Sequence, residues 1–169
     1  MVILARSTSQ GSRLYSANSK EEIKRVWEHQ KEPWVDTVLI LLYSGWRISE
    51  LLNLKPEDIN LQAGTMKGGT KTKAGKDRVV PIHSKIRALV EDRLAEGGPR
   101  LISYNGRACS QTQYRVFWAD IMKALKMNHT PHECRHTFFL TSFGIIILII
   151  FSSFHLIIST AAFSSSKVL

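Results

Sequence analysis

NHTPHECRHTFF, residues 128–139, places three histidines, a cysteine, an acid and an arginine between His129 and His136. Two chemistries compete for it. His132-Glu133-Cys134-Arg135-His136 has the form H-E-x-x-H, which on a helix offers two zinc ligands four residues apart and a general-base glutamate. A catalytic zinc needs a third protein ligand, yet no Asp or Glu follows Glu133 and only His155 could serve. The extended form of the motif wants a glycine at 139 and a histidine at 142, where Phe139 and Ser142 stand. Pro131 also puts His132 at the start of the helix rather than inside it. Recruiting Cys109 or His129 into a structural zinc site lacks any paired Cys or His spacing to support it. The other reading starts from the helix itself. Thr130 is a predicted N-cap, Pro131 the first helical residue and Glu133 the capping-box partner, so His132 and Arg135 fall three apart on one face. The question becomes what else in the chain could meet them.

Composition narrows the partners. A chain of 169 residues with a formal net charge of +9 is long enough for one core and favours a polyanion, nucleic acid before membrane surface. All 14 acidic residues lie at or before Glu133, and Lys167 is the sole Lys or Arg beyond Arg135. Two cysteines, Cys109 and Cys134, make no disulfide framework. Residues 1–20 contain Arg6, Arg13 and Lys20 without an apolar block of signal-peptide length, so a reducing cytoplasm is the expectation.

Residues 1–18 are Ser/Gly-rich and aperiodic, a linker or strand remnant. Ser19 and Glu22 form a capping-box pattern ahead of Ile23, Val26 and Trp27, whose spacing marks a helix face. A second helix is predicted over Trp34 to Tyr43, buried along Val38 to Leu42. Ser44 and Gly45 end it, and Ile48, Leu51 and Leu52 define a short helix with Arg47 and Glu50 on another face. From Ile59 to Ile82 glycine-punctuated segments predict strands, with Ala74, Gly75 and Lys76 at a hairpin tip and Arg78 to Ile82 as its second arm. Ser84 is expected to cap a helix with Ile86, Leu89, Val90 and Leu94 inward, stopped by Gly97, Gly98 and Pro99. Tyr114, Phe117, Trp118, Ile121, Met122 and Leu125 form the core stripe of a later helix. The class is α+β, mainly helical, with a small antiparallel sheet.

The hairpin carries Lys67, Lys71, Lys73, Lys76 and Arg78 against the single acid Asp77. Two arginines, a histidine and a lysine without a carboxylate cage suit a phosphodiester, because guanidinium groups bind non-bridging oxygens bidentately and do without a metal. Lysine can protonate a leaving alkoxide and histidine can shuttle a proton. Taken singly, each has a plainer role: Arg47 with Glu50 is an ordinary helix pair, and hairpin lysines are a solvated or nonspecific DNA-contacting edge.

SGWRISELLNLKPEDINL, then KTKAGKDRVVPI, then TPHECRHTF resemble, in that order, the arginine box, lysine hairpin and H-x-x-R box of tyrosine recombinases of the phage and transposon integrase type. The resemblance runs over residues 19–139, an incomplete integrase-like catalytic domain. It implies site-specific DNA cleavage and rejoining through a 3'-phosphotyrosine, without metal or nucleotide cofactor, on double-stranded DNA and with further recombinase protomers. Carried over, Arg47 and Arg135 clamp the scissile phosphate, Lys71 is the general acid with Lys73 as the competing assignment, His132 assists proton transfer, and Glu50 supports the site. His136 and Thr137 are expected to be supporting or packing residues. The resemblance also implies a separate DNA-clamping domain ahead of residue 1.

The pattern breaks after Thr137. Tyr15, Tyr43, Tyr104 and Tyr114 all precede His132, so no candidate nucleophile follows Arg135, and the family's Gly-His box is not found; His155 lacks its context. This predicts phosphate recognition without turnover. From Phe138 to Phe163 the one ionisable side chain is His155. Residues 140–169 therefore form an atypical apolar tail, with three readings open: a reading-frame change or aberrant join, a membrane anchor with the basic domain on its cytoplasmic side, or a divergent buried helix.

Overall fold

The structure, a computed structural model, describes residues 17–69 and 77–142. Helix α1 (Lys20–Glu28) is opened by the expected box: the Glu22 carboxylate accepts from the Ser19 N–H at 2.8 Å, and the Ser19 hydroxyl accepts from the Glu22 N–H at 3.2 Å. Helix α2 (Val35–Ser44) sits one residue later than predicted because Trp34, at φ 68°, is its left-handed N-cap. Val38 to Leu42 are buried without break, and each such aliphatic side chain contributes roughly 1.5–3 kcal/mol on leaving water. This apolar rod is the axis of the core.

Gly45 ends α2 at φ 62° with its N–H on the Leu41 carbonyl. The chain then turns through Trp46 and Arg47 into the one-turn helix α3 (Ile48–Leu51) and a 3₁₀ turn at Pro56–Asp58. Strands β1 (Ile59–Asn60), β2 (Thr65–Gly68) and β3 (Arg78–Pro81) form an antiparallel sheet in sequence order, with Met66 opposite Val80 and Gly68 opposite Arg78. The hairpin tip, with Lys71 and Lys73, lies outside the described residues.

Helix α4 (Arg87–Ala95) differs from expectation at its start. Ser84 does not cap it; the His83 imidazole accepts from the Lys85 N–H and opens a 3₁₀ turn, Ser84–Ile86, that leads into the helix. Ile86 and Val90 face the core as predicted. A second, two-stranded sheet, β4 (Ser103–Tyr104) with β5 (Arg107–Ala108), was not foreseen. Its turn is Asn105-Gly106, both left-handed at φ 51° and 70°, the pair that two-residue hairpins favour. Helix α5 (Gln111–Ala124) buries Tyr114, Trp118, Ile121 and Met122.

The last described element, α6 (residues 131–142), returns to the front of the molecule. Thr137 is buried in it and ties it to the chain entry: its hydroxyl accepts from the Asn18 N–H at 2.8 Å. His129, just before α6, contacts Glu22 of α1 at 3.0 Å. Those two links seat α6 against α1 and bring Arg135 to the C-terminal end of α2.

Candidate functional site

Four elements meet at one carboxylate. Glu50 stands in α3 with its side chain 1% exposed. Its Oε1 accepts from Arg47 Nη1 at 2.8 Å; its Oε2 accepts from the Arg47 backbone N–H at 3.1 Å and from Arg78 Nη2 at 3.0 Å. Arg135 Nη1 is 3.9 Å from the same Oε2 and donates to the Gly45 carbonyl at 2.6 Å. The α2–α3 turn, β3 and α6 thus converge, and three guanidinium groups share one buried anion. Two positive charges are left over.

The pieces differ in accessibility. Arg47 is 47% exposed, so its pair with Glu50 is screened and worth about 1 kcal/mol or less. Its value is orientation: Nη1 and the backbone N–H are both on Glu50, which fixes a half-exposed guanidinium beside it. Arg135 is 13% exposed, with its guanidinium 4.8 Å from the Phe139 ring centroid. Burial, then the charges of Arg47 and Arg78, depress its pKa, while Glu50 pulls it the other way. It remains a cation. Burial by itself would push the Glu50 carboxyl up; the Arg47 backbone and side-chain donors and the Arg78 charge outweigh it and hold Glu50 below the ordinary range.

His132 is exposed at the first turn of α6, its ring edge-to-face with His136 at 4.6 Å between centroids. Burial, His136, Arg135 and Arg47 lower its pKa, against a small upward pull from Glu133. The imidazole is therefore neutral at neutral pH, able to take up a proton. Glu133 serves elsewhere: its carboxylate accepts from the Thr130 backbone and hydroxyl and lies 3.5 Å from His129. The glutamate of the H-E-x-x-H string is thus a helix cap, turned to His129. Among the described residues no group of three His, Cys, Asp or Glu side chains could hold a metal ion. The Cys134 thiol is fully buried and pushed up in pKa by that burial.

Of the residues singled out in the sequence, Arg47, Glu50 and Arg135 come together, and His132 lies within their field. Lys71 and Lys73 lie outside the described residues. Arg78 was missed as a site residue. Its signal was its register: on β3 it shares a face with Val80, which is buried, so it is an arginine on the inward side of a strand.

The carboxyl shifts set a pH dependence. Glu22, Glu50 and Glu133 all have folded pKa values below the ordinary 4.5, so their contribution to stability is complete above that value and lost as pH falls through the folded ones. His132, depressed from 6.5, acts in the same direction at higher pH, because the unfolded chain takes up the proton first. Urea midpoints measured from about pH 8 to about pH 3 should fall in two stages, a shallow one beginning near 6.5 and a steeper one near 4.5. His132→Asn should remove most of the first stage and leave the second.

The arginine cluster on Glu50 is carried by a helical body with a small antiparallel sheet, and comparison with known proteins identifies that body. The chain belongs to the phage integrase family, which it matches over residues 8–141. It is 33% identical over 139 residues to tyrosine recombinase XerA of Thermococcus kodakarensis, covering 74% of this chain and 48% of that protein. The chain thus spans about half the length of the curated relatives it matches. Among solved structures, a XerA recombinase superposes with a TM-score of 0.63 at 27% identity, covering 73% of this chain and 48% of the other. A lambda integrase dimer bound to a COC' core site superposes at 0.59 with 16% identity, over 73% and 50% of the two chains, a likeness of fold.

Proposed function

We propose that this chain is the DNA-phosphate-recognising catalytic domain of a site-specific recombinase, and that its 169 residues bind a scissile phosphate without forming the covalent intermediate themselves. The observation that carries this is the Glu50-centred cluster: Arg47 and Arg135, from distant parts of the chain, stand beside one carboxylate with donors to spare. A phosphodiester supplies the missing negative charge. Arg47 and Arg135 take its non-bridging oxygens bidentately. His132, neutral, exchanges a proton with the phosphoryl oxygens or the nucleophile. Lys71, or Lys73 in the alternative register, is the general acid placed to protonate a departing 5'-oxygen, a step that needs an attacking tyrosine from outside these 169 residues, so that one P–O bond forms as the other breaks. Double-stranded DNA is the substrate class and further protomers on DNA are the partners in this reading; a structure of like fold, a lambda integrase dimer bound to a COC' core site, is in keeping with it.

The non-turnover half of the proposal rests on the tyrosines. None follows Arg135. Tyr43 accepts from Trp27 Nε1, Tyr104 packs against Trp34 and Phe117, and Tyr114 is buried with its hydroxyl on Thr37; Tyr15 lies outside the described residues. No helix among the described residues is long and apolar enough to cross a membrane. The tail beyond Ser142 lies outside them and is assigned no role.

A nicked suicide duplex tests both halves. The expected result is duplex binding that weakens steeply with salt, with a slope that drops by about one on Arg47→Ala, and no protein–DNA adduct surviving denaturation. A tyrosine-linked adduct would overturn the non-turnover reading, and binding indifferent to Arg47→Ala would overturn the phosphate clamp.

A further inference from the structure

The geometry points to Arg78 as a positioning residue of this site that acts through Glu50, keeping Arg135 free for phosphate; the inference rests on the phosphate-recognition reading above. Glu50 Oε2 is the contested atom. Arg78 Nη2 hydrogen-bonds to it at 3.0 Å while Arg135 Nη1 stands at 3.9 Å, a shift of about 1 Å from a direct hydrogen bond. An arginine committed to a buried carboxylate spends the donors that would grip a phosphate. Arg78 therefore works as the competitor that satisfies Oε2 and leaves Arg135 on the Gly45 carbonyl.

What holds Arg78 to this task is its seat. Its guanidinium lies 4.3 Å from the centroid of the Trp46 ring, and Trp46 is fully buried immediately before Arg47. Across the sheet Arg78 is opposite Gly68, where a Cβ would meet Leu54 Cδ2 at 2.7 Å, with Trp46 Cη2 in ordinary contact at 3.4 Å. Arg78 Nε is buried and makes no hydrogen bond among the described residues. Orientation thus comes from the indole face and from Glu50. At 27% exposure Arg78 is also set deeper than Arg47 at 47%, which suits a group that supports the site more than one that touches the duplex.

Truncation separates these roles. Arg78→Ala in the full chain should weaken binding to a short duplex about tenfold, a change of about 1.4 kcal/mol, as Arg135 closes onto Oε2. Adding Glu50→Gln removes the charge that captures Arg135 and should restore most of the lost affinity, a rescue that a purely structural or DNA-contacting Arg78 would not allow. Arg78→Gln, which keeps an aliphatic stem over Trp46, should behave like Arg78→Ala if the alanine variant folds poorly. Unchanged binding in both single variants, or a double variant as weak as the single, overturns the inference. A crystal structure of the variant without DNA is an independent test: Arg135 within hydrogen-bond distance of Glu50 supports the inference, and Arg135 unmoved overturns it. Wild-type protein that ignores duplex DNA would sink the phosphate reading, while the crystal structure would still decide the role of Arg78.

Discussion

Gly45→Ala is expected to be among the most destabilising single substitutions in this domain, lowering the unfolding free energy by about 2–5 kcal/mol. Two independent costs add. Gly45 holds φ 62°, where a side chain costs roughly 1–2 kcal/mol. A Cβ there would also lie 2.8 Å from Phe138 Cε1 and closer still to Cδ1, an overpacking that costs about 1–3 kcal/mol. Phe138 belongs to α6, so relief comes by pushing α6 away from α2, and that movement would part Arg135 from the Gly45 carbonyl. Urea denaturation with an unchanged slope and a lowered midpoint would report the stability loss. Phosphate affinity should fall further than the unfolded fraction explains. A Gly45→Ala protein as stable as wild type would mean that the α2–α6 contact is looser than these distances require.

Arg135→Ala should have the largest effect on DNA binding, roughly 30–100-fold, or about 2–3 kcal/mol. It removes the proposed donor to phosphate, and it leaves the buried Gly45 carbonyl without its 2.6 Å partner, itself a penalty of about 1–3 kcal/mol when unsatisfied. Arg135→Lys is expected to restore little, because an ammonium cannot donate to Gly45 and to a phosphate in the fixed fork that a guanidinium provides. Competition binding at several salt concentrations, with the slope falling by about one for Arg135→Ala, is the measurement. Affinity retained by Arg135→Ala would remove Arg135 from the clamp altogether.

The parts of this fold that were legible in the sequence are those written locally. The Ser19–Glu22 box, the apolar run of α2 and the α5 stripe each lie within a few turns of chain and need no partner to be recognised. The site was legible to the extent that three short boxes are its landmarks. What escaped was set by register or by brevity. Arg78 reads as one more cation in a basic hairpin until Val80 fixes which side of β3 faces the core. Strands β4 and β5 have two residues each, too few for alternation to show, although Asn105-Gly106 signals the turn. The His83 cap was hidden because serine is the commoner capping residue and Ser84 stood next to it. Glu133 fits both the zinc string and the capping box, with the missing third ligand and Pro131 already favouring the cap, and its contacts with Thr130 and His129 are those of the cap.

The links that seat α6 reach far along the chain: Arg135 to Gly45 spans 90 positions and Thr137 to Asn18 spans 119. Closing such loops costs entropy that local helices never meet, so these contacts belong to the end of folding rather than its beginning. During synthesis, α1 to α5 can collapse as they emerge, but the phosphate clamp has no second arginine box until residues through Thr137 have cleared the ribosome. If the proposed clamp binds phosphate, grip on DNA would double as a sign of completed folding: a nascent chain can stick to nucleic acid through its surplus charge, while a single phosphate would be held only by the finished domain.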